Sequence, residues 1–270
     1  MNLRLTLAYD GTDFHGWQAQ PHYRTVEATL AEAIRDMTGE SPRLLSAGRT
    51  DAGVHALGQV ASLETRSRIP AEKWRPALQM RLPEDLIVRE VVEVPAIFHA
   101  TYSAIGKRYR YLIHNSRTEE LLLRRYSWRV PQPLDTDAMQ LAADRLLGKH
   151  DFRSFETNYP NKATSVRTVR ELRVFRTGPG SLLQGLAYHD PADRPTNMVA
   201  IEIEADGFLY NMVRTITGTL VNVGRGTWTP DDMERILTGQ SRHLAGDTCP
   251  AKGLFLVRVD YPEREEDLRR

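Results

Sequence analysis

The chain has 270 residues, 41% hydrophobic and 26% charged, enough to bury a sizeable core in one large domain or two of ordinary size. Its 36 Lys and Arg nearly balance 35 Asp and Glu, leaving a net charge of +1, so overall charge points to no nucleic-acid partner and local distribution must decide. One cysteine excludes an intramolecular disulfide, eight histidines without CxxC or HExxH spacing predict no metal site, and no apolar run nears the roughly 18 to 20 residues of a membrane span. The opening MNLRLTLAYDG also lacks a signal-peptide core, so the expected setting is the cytoplasm.

In chain order, the first predicted element is a half-buried strand over 3–9, where Leu3, Leu5 and Leu7 alternate with Arg4, Thr6 and Ala8 before Asp10-Gly11 ends the run. Val26, Leu30, Ile34 and Met37 recur at helical spacing, with Thr25 as N-cap and Gly39 as the stop. Residues 44–65 read as strand, turn, strand. AEKWRPALQMRLP reads as a short helix broken near Pro83, and LIVREVVEV as a strand closing a first half over 1–104. A second half, 105–262, begins with the strand KRYRYLIHN and the helix DTDAMQLAADRLLG, capped by Asp135 or Thr136. Next come VRTVRELRVFRTG, a strand with Val166, Val169, Leu172 and Val174 apolar, and the alternating NMVAIEIEADG. An apolar helix over 208–224, a capped helix TPDDMERILTG and a last strand GLFLVRVDY follow. Residues 178–196, rich in Gly, Pro and Asp, read as a long hairpin loop, and 263–270 as a charged tail that frays. The expected fold class is α+β: two mixed or antiparallel sheet halves, each with helices on one face, and a groove between them.

Three stretches could carry chemistry. In GRTDAGVHA (48–56), extended backbone would put Arg49 and Asp51 on one face, where the guanidinium would hold the carboxylate ionised as a nucleophile or base. An ordinary Asp-x-Gly surface turn gives the same letters. Residues 101–130 hold seven cations, among them Lys107, Arg108 and Arg110, against Glu119 and Glu120, a local +5. Tyr102, Tyr109, Tyr111, Tyr126 and Trp128 are interleaved, a mixture that suits RNA phosphates and unstacked bases but equally a solvated basic face. On the helix over 208–223, Asn211, Arg214, Thr215, Gly218 and Asn222 share a face without large apolar side chains, a polar site or a solvated stripe. A strand tyrosine such as Tyr109 is also what a core supplies.

The motifs AYDGTDFHGWQAQP, GRTDAGVHALGQV, FHATYSAIGKRYRYLI, DFRSF, FLYNMVRTITGTLVNVG and AKGLFLVRVDYP occur in that order between residues 8 and 262. Together they closely resemble the tRNA pseudouridine synthase A family. The resemblance implies the pseudouridine synthase fold and a cofactor-free isomerase that detaches uracil from ribose, turns it and rejoins it through C5, around tRNA positions 38, 39 and 40 of the anticodon stem-loop. It places the catalytic aspartate on Asp51, the active-site tyrosine on Tyr109 and its partner arginine on Arg214. It makes Arg49 the residue inserted beside the flipped nucleotide. Asp10, Phe14, Gly16, Trp17 and Gln18 match the amino-terminal motif and would support the site or touch RNA, although Trp17 also fits a core. Leu254 would pack near the aspartate, His55 reads as a buried hydrogen-bonded histidine, and Gln59 belongs to the same motif. Lys107, Arg108, Arg110 and Asn211 would meet the RNA backbone. The implied partners are tRNA and a second copy of the chain in a homodimer. Cys249 and the 178–196 loop depart from the family's pattern. A non-catalytic tRNA-binding protein and an aspartate-dependent hydrolase remain as alternatives.

Overall fold

In the computed structural model, which describes residues 1–157, 164–177 and 198–269, two units gather separately: Met1–Lys107 with Phe255–Arg270, and Arg108–Leu254. The hairpin loop expected at 178–196 lies outside the described residues.

The first unit is organised around β1 (Asn2–Tyr9), whose alternation buries Leu3, Leu5 and Leu7 completely while Arg4 and Thr6 keep partial exposure. β1 pairs antiparallel with β3 (His55–Glu64) on one side and β4 (Leu86–Val94) on the other. The short β2 (Leu45–Ser46) lies antiparallel on β3. Helix α1 (Val26–Thr38) turns Val26, Leu30, Ala33 and Ile34 inward. Its predicted caps both form: Thr25 Oγ1 accepts from Ala28 N, and Gly39 adopts φ 76°, a left-handed conformation that costs glycine little. Helix α2 (Ala71–Gln79) buries Trp74, whose Nε1 donates to Ile69 O at 3.1 Å. Within the tail expected to fray, Leu268 packs on the cluster of Ala47, Val60, Phe98 and Ala100. An apolar side chain in an otherwise charged run is enough to lay the segment down.

In the second unit β5 (Gly106–His114), β9 (Met198–Ala205), β8 (Val166–Arg176) and β7 (Gly148–Asp151) are successive neighbours, and the short β6 (Trp128–Arg129) runs parallel to β5. In β8 the buried positions Val169 and Leu172 are three apart because the register with β9 shifts between Val169 and Glu171, where an extra residue restores the inward face. Helix α3 (Thr136–Asp144) is capped by Asp135, whose carboxylate accepts from Asp137 N and Ala138 N. Helix α4 (Met212–Gly224) starts later than the expected residue 208, because Asn211 at φ 61° turns the chain just before it. Helix α5 (Asp232–Thr238) follows, and β10 (Leu254–Asp260) lies parallel to β3 in the first unit, with Phe255 opposite His55. Gly58 admits that pairing: a Cβ there would lie 2.5 Å from Val257 O.

Together these elements make an α+β fold built on mixed pairing, β3–β10 and β5–β6 parallel and the β1, β2 and β8 ladders antiparallel. Thr25→Ala should cost about 1 kcal/mol by stranding the first amides of α1, lowering the thermal midpoint by roughly 2–4 °C in a chain of this size; calorimetry would measure it.

Candidate active site

Asp51 opens a tight turn. Val54 N donates to Asp51 O at 3.1 Å, and Gly53, at φ 77°, takes the position that a side chain would strain. Asp51 is half-buried there, while Arg49 is exposed and makes no hydrogen bond or ion pair among the described residues. The expected pairing of Arg49 with Asp51 therefore does not form. It presumed extended backbone, and the chain leaves the strand after Ser46 and re-enters it at His55.

What holds the turn is the amino-terminal motif. Trp17 N donates to Thr50 O at 3.0 Å and Gly53 N to Phe14 O at 3.3 Å. Two glycines allow this approach: a Cβ on Gly16 would lie 2.6 Å from Thr50 O, and one on Gly11 would lie 2.0 Å from Val54 O. The same motif is fastened behind to α1, where Val26 N and Glu27 N donate to Gly16 O and Trp17 O. Phe14 and Trp17 are buried, and Arg24 lies over the Phe14 ring at 4.0 Å while bonding both carboxylate oxygens of Asp85 at 2.7 Å.

Beneath the loop runs a buried polar network. Tyr9 Oη and Thr50 Oγ1 are 2.8 Å apart, and Gln59 Nε2 donates to Tyr9 Oη at 3.3 Å and to Gly48 O at 2.8 Å. Burial pushes the Tyr9 phenol up to about 12, so it stays protonated and able to donate. His55 is buried, stacked on Phe255 at 4.7 Å, with Nδ1 3.0 Å from Gly11 N and 3.2 Å from Asp10 Oδ1. Asp10 also accepts from Thr12 N and Oγ1. Asp10 thus supports the loop, whereas Gln18 is exposed. Lys107 reaches the loop as well: a Cβ on Gly48 would stand 3.0 Å from its Nζ. Tyr9 and Thr50 went unremarked in the sequence. Nothing in the letters marks this role, since a tyrosine that ends an apolar strand looks like any core tyrosine.

In the second unit, Tyr109 is buried on β5 and meets Phe208 edge to face at 5.0 Å. Arg214 is half-buried in the first turn of α4, its Nε donating to Cys249 O and a terminal nitrogen to Asn211 Oδ1, both at 2.8 Å. Asn211 in turn donates to Thr157 Oγ1 at 2.8 Å. The helix face is no solvated stripe. Thr215 and Gly218 are buried because residues 246–249 lie on them, with a Cβ on Gly218 only 1.9 Å from Asp247 O. Burial pushes the Cys249 thiol up to about 12, making it a packing group rather than a nucleophile. Leu254 is buried at the start of β10.

The basic stretch is less open than its count suggests. Arg108 bonds Glu202 and Glu204 at 3.2 and 2.7 Å and also Glu171, and Arg110 bonds Glu202 at 2.6 Å. These carboxylates sit on β8 and β9, remote in sequence, and neutralise the two arginines most regularly spaced on β5. Among the described residues no group of three or more His, Cys, Asp or Glu gathers as a cation site.

The chain matches the model of the tRNA pseudouridine synthase family over residues 6–103 and 142–262. It is 46% identical over 261 residues to the tRNA pseudouridine synthase A of Moorella thermoacetica, covering 96% of this chain and 99% of that protein. Proteins of the same name from Acetivibrio thermocellus and Brevibacillus brevis are each 44% identical, over 260 and 259 residues, with the same coverage. The archaeal box H/ACA sRNP Nop10-Cbf5 complex shares 10% identity at a TM-score of 0.33, covering 81% of this chain and 53% of that one, too slight a likeness to bear on fold or activity. The chain belongs to the tRNA pseudouridine synthase family.

Two outcomes follow from this geometry. Gly16→Ala must push the Thr50 carbonyl away and adopt a left-handed φ of 83°, so pseudouridine formation should fall about 100-fold in kcat with tRNA affinity nearly kept. Single-turnover kinetics beside filter binding would show the split. Tyr9 and Cys249 stay protonated in the fold up to about pH 12 but ionise in the unfolded chain near 10 and 9. Their contribution to stability is whole below pH 9 and is lost as pH rises from about 9 to 12, which denaturant titrations across that range would detect.

Proposed function

We propose that the chain isomerises uridine to pseudouridine in the tRNA anticodon stem-loop, around positions 38 to 40, with Asp51 as the acting carboxylate. The observation that carries this reading is the turn just described: a half-buried aspartate at the head of a glycine-hinged loop, braced by buried hydrogen bonds, in a chain of this family. A uridine stacked in RNA hides C1′, C2′ and C6, so it must be extruded at a cost of a few kcal/mol that new contacts offset. Arg49, exposed and uncommitted beside Asp51, is suited to fill the space the base leaves.

In the proposed reaction the N1–C1′ bond breaks, the uracil turns, and a C5–C1′ bond forms. The proton displaced from C5 leaves and N1 gains one, so mass is unchanged and no oxidant is consumed. Attack at C1′ or C6 and removal of the 2′ proton each need Asp51 ionised. Arg214 would supply the positive charge that keeps it so, and Tyr109 the ring against which uracil lies and a hydroxyl to relay the C5 proton. Arg214 falls within the family match; Tyr109 falls between its two stretches. Asp10 and Leu254 act behind the reacting groups and Gln18 at the RNA surface. Lys107, beside the Asp51 loop, is the best placed of the proposed backbone contacts. A cytoplasmic homodimer, which the family resemblance implies, completes the reading. No helix among the described residues is long and apolar enough to cross a membrane.

Asp51→Asn should leave tRNA affinity within about twofold of the parent and abolish conversion, read as loss of carbodiimide-dependent reverse-transcription stops at the target uridines. Full conversion by the variant would end the assignment. Release of free uracil by the parent protein would indicate a hydrolase, and binding without conversion an RNA-binding protein.

A further inference from the structure

The turn over 99–103 in the first unit is fastened on every side yet carries a bare aromatic ring. Ala100 N donates to Ser62 Oγ at 3.1 Å, and Ala100 O accepts from Tyr261 Oη at 2.8 Å. Thr101 Oγ1 donates to Ser46 O at 2.6 Å, and His99 and Ser103 bond each other twice. His99 Nδ1 accepts from Thr101 N and Tyr102 N, which fixes the imidazole under the turn. The Tyr102 ring leans on that imidazole at 4.3 Å and 35°, the residue remains 76% exposed, and its hydroxyl makes no hydrogen bond among the described residues.

A scattered surface aromatic is ordinary. This one differs in its setting. Its anchor, Ser46, ends β2, and the chain on either side of β2 carries Arg43 and Arg49, both exposed and without an ion pair or hydrogen bond among the described residues. Ser46 precedes Asp51 by five residues, so the anchor lies within about 18 Å of the acid. A pre-ordered ring leaning on an imidazole, on a turn anchored at Ser46 between Arg43 and Arg49 in the chain, matches what single-stranded RNA offers: a flat base between phosphates. A protein partner would more often seek an apolar rim, and the strand that anchors this turn is bracketed in the chain by two exposed arginines.

We infer that the His99–Tyr102 pair is a stacking platform for an unpaired base of the anticodon loop, with Arg43 taking an adjoining phosphate. This deepens the proposed function and rests on it for the identity of the RNA. The platform grips a nucleotide other than the one being isomerised, so it acts on affinity rather than on the chemical step.

The test is equilibrium binding of unmodified tRNA to the full chain, the Tyr102→Ala variant and the Tyr102→Phe variant at several salt concentrations. Tyr102→Ala should bind roughly tenfold more weakly, as loss of one base-aromatic stack predicts. Tyr102→Phe should bind like the parent, because only the ring is used. The dependence of log Kd on log salt should be the same in all three, since no phosphate contact is removed. Wild-type affinity in Tyr102→Ala, or equal weakening in Tyr102→Phe, overturns the platform. Conversion of tRNA by the parent protein is followed in parallel: its absence would overturn the proposed function, whereas unchanged binding by Tyr102→Ala overturns only the platform.

Discussion

Backbone packed directly on backbone, with no side chain between, is the constraint from which the Asp51 loop takes its shape. Residues 11–17 lie so close to residues 50–54 that a methyl group on Gly11 or Gly16 would overlap a carbonyl. Contact at that distance lets amides of one segment satisfy carbonyls of the other, as at Trp17–Thr50 and Gly53–Phe14. The loop is thereby held from above by main-chain bonds and from below by Tyr9 and Gln59. Catalysis by a positioned carboxylate needs its geometry set before substrate arrives, and a loop fixed by glycine contacts cannot relax by rotating a side chain.

The second unit repeats the device. Gly218 lets the carbonyl of Asp247 touch the surface of α4, which brings residues 246–249 along the helix and leaves Cys249 O in place to receive Arg214. The direction of Arg214 is therefore set by the crossing of a loop over a helix. Asn211, turned into a left-handed conformation just before the helix, holds the same guanidinium from the other end. Each chemistry-bearing side chain is anchored within its own unit by groups that carry no chemistry themselves.

The elements were largely legible in the sequence because period and caps are local. β1's leucines, the Thr25 and Gly39 caps and Asp135 all do what their spacing implied. What was not legible came from distance along the chain. β10 joins β3 in parallel some two hundred residues away, and no pattern within LFLVRVD distinguishes that neighbour from another. Of the two readings left open for 48–53, the Asp-x-Gly turn is the one that forms, with Gly53 closing it and residues 14–17 bracing it from outside, so Arg49 and Asp51 do not share an extended face. Asp51 was found through the company of other motifs; its Tyr9 and Thr50 supports were not, because a buried hydroxyl at a strand end looks like any core tyrosine.

Charge shows the same limit, and it bears on how RNA is met. Counting cations over 101–130 suggested a basic face, but Glu171, Glu202 and Glu204, up to about a hundred positions away, take up Arg108 and Arg110. An arginine already held by two or three carboxylates releases few counterions when a phosphate approaches, so it adds little to a salt-dependent affinity. Arg43 and Arg49 have no such partners among the described residues and stay available to a polyanion. Local composition therefore overstates what Arg108 and Arg110 offer, whereas Lys107 of the same stretch stands beside Gly48 and the arginines either side of β2 are held by no carboxylate among the described residues, though the sequence shows no cluster there.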